Sequence, residues 1–299
     1  MKKNEKKMAW FVGILIFSVI FSLFKVVSSS VKKYDLIDNK VIILNIPGTI
    51  NFASARKILA SLEEAESDPG VKGILLSINS PGGSVGSSQE IYSYLLKLKL
   101  KGIKIVSSFG DMAASGGYYI ASASDLIVSN PGAITGSIGV IIMNMNFSEL
   151  AQKFGIKSVA IKSGSMKDLL SPFRPITKDE EQYLQGMVFE SYERFIKDIL
   201  KGRGNKIKED KLRKIADGRI LSGLVAQKEG LVDVVGGMDT AKDEMKKLLG
   251  TTQVKFVLPK KNPLEGFLKE ALSGKQQEDL LFGILNNPVL YYYAGGGLK

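Results

Sequence analysis

The chain has no histidine and no cysteine among its 299 residues. A serine–histidine–aspartate triad therefore cannot be assembled within it, and there is no cysteine nucleophile. Zinc sites built from imidazole or thiolate are excluded too. Any nucleophilic hydroxyl must find its base in a lysine, a carboxylate or a group on another chain, and a serine–lysine pair is the histidine-free solution. No glycine loop has the standard spacing of a phosphate cradle. Acids are outnumbered, 30 against 41 basic residues, for a net charge of +11. The lysines and arginines are spread along the chain among the acids, so the excess reads as a solvated basic surface and no nucleic-acid partner is expected. With 44% hydrophobic and 24% charged residues the chain can bury a sizeable core.

Residues 1–7 carry four lysines, and Met8 to Phe24 carry no charge. A spanning helix needs about 20 apolar residues. The expectation is an uncleaved transmembrane anchor over 8–27, with Trp10 near one interface and Lys25 snorkelling at the other. The basic cluster before it predicts a cytoplasmic N-terminus and an extracytoplasmic remainder. A cleaved signal peptide is the competing reading, but no Ala-x-Ala site follows the apolar run. Residues 28–40 read as a tether.

From residue 41 to about 250, strands alternate with helices, the pattern of an α/β domain with largely parallel pairing. Val41–Ile46, Val71–Ile78, Ile103–Phe109, Leu126–Val128, Val140–Met143 and Ser158–Ile161 read as strands. Ala53–Glu66 has helical apolar spacing and stops at Asp68-Pro69-Gly70. Ser84 is a candidate cap for a helix to about Leu98, and Thr177 with Glu180 forms a capping box before a long amphipathic helix. From Thr251 the pattern weakens. Residues 251–299 read as a tail that either packs on a neighbouring subunit or is mobile.

The chain is organised around Asp111 to Tyr119, Asp-Met-Ala-Ala-Ser-Gly-Gly-Tyr-Tyr. Ser115 sits where an apolar strand turns into a helix, with small residues before it and two glycines after it. Small neighbours let a carbonyl approach, and the Gly116 amide at a helix N-terminus can stabilise an oxyanion. The plain alternative is a tight turn closed by small residues for packing. Ser80-Pro81-Gly82-Gly83 offers an outward amide at the end of the preceding strand. In a parallel sheet, loops beyond the carboxyl ends of strands gather around ligands, so both turns can face one cleft. Two amides and a hydroxyl around a carbonyl suit acyl transfer.

Four segments occur in order: Asn79-Ser-Pro-Gly-Gly-Ser84, Met112-Ala-Ala-Ser-Gly-Gly-Tyr-Tyr119, Thr135-Gly-Ser-Ile-Gly-Val140 and Ser163-Gly-Ser-Met-Lys-Asp168. Together they resemble the signal peptide peptidase A (protease IV) family of membrane-anchored bacterial serine peptidases, over roughly residues 40–250. The resemblance implies a crotonase/Clp-protease-like α/β spiral of β-β-α units following the N-terminal transmembrane helix. It implies Ser115 as nucleophile, Lys167 as general base and Ser137 as the hydroxyl that orients the lysine amine. Gly83 and Gly116 would supply the oxyanion amides, with Gly82 shaping the turn. Nothing in the composition singles out Lys167 from the other lysines; only the resemblance does.

A lysine base must be neutral, whereas an ordinary ammonium titrates near pH 10.4, so apolar walls have to desolvate it. Asp168 would oppose this by pairing with the amine, so its carboxylate is expected to point away. Short members of the family form rings in which one subunit's serine meets a neighbour's lysine, and this chain is of the short type. The resemblance thus implies an octameric homo-oligomer that hydrolyses peptides, signal peptides released at the bacterial cell membrane, without metal or organic cofactor. The rivals are a crotonase-type acyl-CoA enzyme, which needs no nucleophilic serine, and a non-catalytic membrane scaffold that binds peptides.

Overall fold

The structure, a computed structural model, describes residues 39–259, the helical residues Phe17 and Phe21, and the backbone of Tyr291–Tyr293. The chain divides into two units, Met1–Ile37 and Asp38–Lys299. In the first, the Phe17 and Phe21 rings stack with centroids 6.2 Å apart. The rest of the expected 8–27 anchor lies outside the described residues. Among the described residues, no helix is long and apolar enough to cross a membrane.

The second unit is built on a mixed sheet. Strands β1 (Lys40–Pro47), β2 (Val71–Ser80) and β4 (Lys104–Ala114) lie side by side and parallel. Their apolar runs are nearly continuous because both faces are covered. On one face, Ile74, Leu76, Ile78, Ile105 and Phe109 join the main core with helices α1 (Phe52–Ser67) and α2 (Val85–Leu100). On the other face, Val41, Leu75 and Val106 pack with Ala241 and Met245 of helix α8 (Met238–Leu249). That helix approaches closely because Gly73 has no side chain: a Cβ there would lie 2.8 Å from the Met245 sulfur.

Strand β4 runs five residues beyond the expected end at Phe109, and it changes partner on the way. Val106–Phe109 pair with β5 (Leu126–Ser129), while Met112–Ala114 pair with β6 (Ile134–Gly136). Beyond β6 lies β7 (Ile220–Ser222), antiparallel to it, and this makes the sheet mixed. β8 (Val234–Val235) extends β5. The expected tail begins with a strand instead: β9 (Lys255–Val257) pairs parallel with β1.

Two expected strands are absent. Val140–Met143 forms no strand beyond a single bridge residue at 141, and Ser158–Ile161 forms none. Between them lies the short helix α4 (Ser148–Lys153). The apolar patterning is real, but among the described residues these segments meet no strand edge beyond the single bridge at 141. Val159 and Ile161 stand 83% and 100% exposed, and Met143 and Phe154 are exposed as well. Residues 141–176 thus form an arm with much of its apolar surface uncovered. The arm ends where α5 (Lys178–Arg203) begins, at the expected capping box: Thr177 and Glu180 exchange both hydrogen bonds.

Candidate active site

The site is assembled at the carboxyl ends of β2 and β4, which adjoin through the pairing of Ser80 with Ala113. After β2 the chain turns at Pro81 into the short strand β3 (Gly82–Ser84). After β4 it turns at Ser115 into helix α3 (Gly116–Ala121). Six residues are too few for a helix to persist alone, and this one is pinned from its far side. The Tyr118 hydroxyl donates to the Leu231 carbonyl at 3.0 Å, and the Tyr119 hydroxyl donates to the buried Asp198 carboxylate of α5. Arg194 also donates to that carboxylate at 2.8 Å, so burial leaves no acid unpartnered there.

Ser115 has φ 53° and ψ −117°, a left-handed conformation that costs a non-glycine residue about 1–3 kcal/mol. The conformation is that of a nucleophile elbow, which lifts a hydroxyl off the end of a strand. The residue is fully buried, and its Oγ has no hydrogen-bond partner. Its backbone N–H donates to the Gly136 carbonyl at 2.8 Å, which brings Ser137 next to the turn. Ser137 is also buried at positive φ, 48°, held by its own N–H on the Arg219 carbonyl at 2.8 Å. Gly116, as the first residue of α3, keeps an N–H without an intrahelical acceptor.

β3 is held on one edge by Ile50. The Ile50 N–H donates to the Gly82 carbonyl and the Ser84 N–H donates to the Ile50 carbonyl, both at 2.8 Å. Gly83 must be glycine for this approach, since a Cβ there would fall 2.0 Å from the Ile50 oxygen. The Gly82 amide is already engaged, donating to Ser80 Oγ at 3.1 Å. The Gly83 amide, by the alternation of a strand, faces the edge away from Ile50.

Ser115, Gly116, Ser137, Gly82 and Gly83 are therefore neighbours, as two turns of a parallel sheet should make them. Lys167 is not joined to them. It lies exposed on a turn of the arm, its N–H on the Gly164 carbonyl at 3.1 Å, and it does not hydrogen-bond the Ser115 hydroxyl. The turn does reach the same groove as β3. A cavity of about 1590 Å³ is lined by Ser84 and Val85 and by Leu169, Leu170, Leu184 and Met187, together with charged side chains such as Glu90 and Arg194.

Asp168 points away from Lys167. Its carboxylate accepts from Arg174 Nε at 2.8 Å and Nη2 at 2.9 Å, and from Lys162. The Arg174 guanidinium, with Lys162, holds the Asp168 carboxyl well below the usual carboxylate range. Arg174 also grips Glu180, whose carboxyl it and the Thr177 amide bring down to about 2. The arm's turn is thus clamped to the first turn of α5. The capping box was readable in the sequence, but Glu180's second role toward Arg174 carries no local signal, and neither does the Ile50–Gly83 bridge.

Residues 97–252 match the family described as Peptidase family S49, and residues 27–129 match Clp protease. The chain is 39% identical over 226 residues to the "Putative signal peptide peptidase SppA" of Enterococcus faecium, covering 75% of this chain and 64% of that protein. It is 32% identical over 224 residues to "Protease 4" of Haemophilus influenzae, covering 73% of this chain and 36% of that protein. Among solved structures, a mutant of the 1510-N membrane-bound stomatin-specific protease is similar, with a TM-score of 0.51 and 19% identity, over 76% of this chain and 100% of that one. The fold is a Clp-protease-like α/β fold with a mixed sheet.

Proposed function

The chain belongs to peptidase family S49, and from that premise we propose that it is a membrane-anchored serine endopeptidase working through a Ser115–Lys167 dyad. The observation that supports this reading most is the Ser115 hydroxyl: buried, unpartnered, and raised on a strained turn. Ser115 Oγ attacks the scissile carbonyl while the Lys167 amine takes its proton. The Gly83 and Gly116 amides receive the oxyanion, and Ser137 orients the lysine. The resulting ammonium protonates the leaving amine, and water then hydrolyses the acyl-enzyme by the same proton route.

The lysine comes from a neighbouring copy. The exposed position of Lys167, the unpartnered Ser115 hydroxyl and the uncovered apolar side chains of the arm all favour that arrangement. A second subunit covers the arm, dries the amine and completes the dyad, in a homo-oligomer of ring form, an octamer by family likeness. The substrates are released signal peptides at the bacterial cell membrane, reached by an extracytoplasmic domain on the 8–27 anchor. The part of the groove lined by Val85, Leu169, Leu170 and Met187 suits apolar side chains, beside charged walls that include Glu90, Lys97 and Arg194.

The test is peptide cleavage by an ectodomain beginning near Ser30, as wild type, Ser115→Ala, Lys167→Ala and an equimolar mixture of the two variants refolded together. Both variants should be inactive, and the mixture should recover part of the activity. Inactive variants with no recovery would confine the dyad to one chain. Full activity in Lys167→Ala would remove the proposed base.

A further inference from the structure

Four neighbouring strands of the main sheet start with a lysine. In the order β9, β1, β2 and β4, they carry Lys255, Lys40, Lys72 and Lys104 at or next to their first residue. The strands are parallel, so all four lysines stand at the amino end of the sheet, away from the Ser115 turn. The last turn of α2 and the loop after it add to them. Residues 97–104 read Lys-Leu-Lys-Leu-Lys-Gly-Ile-Lys, four lysines and no acid. Acids from other elements answer part of this charge: Glu66 pairs with Lys97 and Lys101, Asp68 with Lys40, and Asp125 with Lys99. Lys72 donates to the Pro69 carbonyl, and among the described residues neither it nor Lys104 has an ion pair.

Within the 97–104 segment, Leu98 is buried in the core, but Leu100 stands 91% exposed between Lys99 and Lys101. A bare leucine framed by lysines fits a bilayer surface: the amines meet anionic headgroups while the leucine enters the acyl boundary. The expected tether, residues 28–40, ends on Lys40 at this same end of the sheet, and a tether of that length extends at most roughly 45 Å. We propose that the amino end of the sheet, from Lys104 across to Lys255 with Leu100 beside it, is a docking surface for the anionic bilayer that holds the chain's own anchor. The docked domain keeps the Ser115 end of the sheet off the headgroups and open to peptides that have left the bilayer. This rests on the reading of residues 8–27 as an anchor, and the experiment separates the two.

The chain has no cysteine, so Leu100→Cys carries an environment-sensitive fluorophore at one place only. Phe52→Cys is the matched control: Phe52 is also apolar and 74% exposed, but it opens α1 beyond the carboxyl end of β1. The full labelled chain is reconstituted in vesicles of phosphatidylcholine, with or without phosphatidylglycerol, that contain spin-labelled acyl chains as contact quenchers. With phosphatidylglycerol present, the Leu100 label should be quenched and the Phe52 label should not; without it, neither should be. Lys101→Gln and Lys104→Gln should each lower the docked-to-undocked ratio about fivefold, the share of one lysine near an anionic surface, and added salt should lower it in the unaltered chain. Equal quenching at both positions, quenching indifferent to phosphatidylglycerol, or an unquenched Leu100 label in a chain that stays with the vesicles would overturn the proposal. An emission shift at Leu100 that grows with protein concentration in phosphatidylcholine alone would assign the surface to a second copy and overturn it as well. A chain that leaves the phosphatidylcholine vesicles, yet is quenched at Leu100 on the mixed ones, would uphold the surface and count against the anchor alone. Failure to bind either vesicle would remove both.

Discussion

Replacing Gly83 by alanine places a methyl group where backbone already stands. Its Cβ would lie 2.0 Å from the Ile50 oxygen and 2.7 Å from the Ile50 nitrogen and carbonyl carbon. No rotamer relieves that contact, so β3 has to move away from Ile50. The move breaks the two 2.8 Å hydrogen bonds that tie Gly82 and Ser84 to Ile50, at about 1 kcal/mol each. For a domain of this size, about 2 kcal/mol corresponds to a fall of roughly 4–8 °C in Tm. The chemical consequence is larger. An oxyanion donor displaced from its place costs about 10²–10³ in kcat. The matched control is Gly186→Ala, in the middle of α5, where an added Cβ meets nothing within 4 Å. That change should raise stability by about 0.5–1 kcal/mol and leave kcat alone. Thermal melts and steady-state kinetics on the same preparations decide the matter. Wild-type Tm and kcat in Gly83→Ala would refute the geometric reasoning outright. A lowered Tm with wild-type kcat would keep the packing argument and remove Gly83 from the oxyanion role.

Two further variants carry expected outcomes. Arg174→Gln takes the guanidinium from Asp168 and Glu180 and leaves Asp168 paired with Lys162. With one clamp gone Asp168 can turn toward the neighbouring Lys167, an interaction that favours the ammonium, so the acid limb of the pH–rate profile should move to higher pH; an unmoved limb would show that Asp168 never competes for the lysine. Both carboxyls titrate lower in the folded chain than in the unfolded one, so their contribution is complete above about pH 4.5 and is lost as pH falls toward about 2, the Glu180 value. Proteolytic nicking of 141–176 should therefore rise in the wild type only below about pH 4, but already at neutral pH in the variant. Arg203→Met should cost about 3 kcal/mol in a urea melt. The Arg203 side chain is fully buried and bidentate on Asp233, at 2.8 and 2.9 Å, and its loss leaves that carboxylate with Lys206 and the Ile127 amide. A cost under about 1 kcal/mol would mean that Lys206 compensates fully.

The core of the fold was legible because its strands are covered on both faces and read as apolar runs, as in Val71–Ile78. The helix starts were legible because caps are local, as with Ser84 and Thr177. Where strands were misread, the cause was a missing partner. Val140–Met143 and Ser158–Ile161 have strand-like composition, but among the described residues only a single bridge at 141 pairs either of them. β9 was missed for the opposite reason: three residues carry little pattern, and their strand exists because β1 offers an edge.

The sequence by itself determined which chemistry was available, since a chain without histidine or cysteine leaves serine, lysine and carboxylates. It also determined that Ser115 stands at a strand-to-helix turn and that a second glycine turn follows the neighbouring strand, because turn residues act over four or five positions. Only the tertiary structure decided that β4 divides its pairing between β5 and β6, that Gly136 takes the Ser115 amide, and that Arg174 turns Asp168 from Lys167. Each of these joins groups held by backbone hydrogen bonds or ion pairs whose partners are chosen in competition, after the chain has closed. A local pattern records which side of a segment is buried, but not what it is buried against.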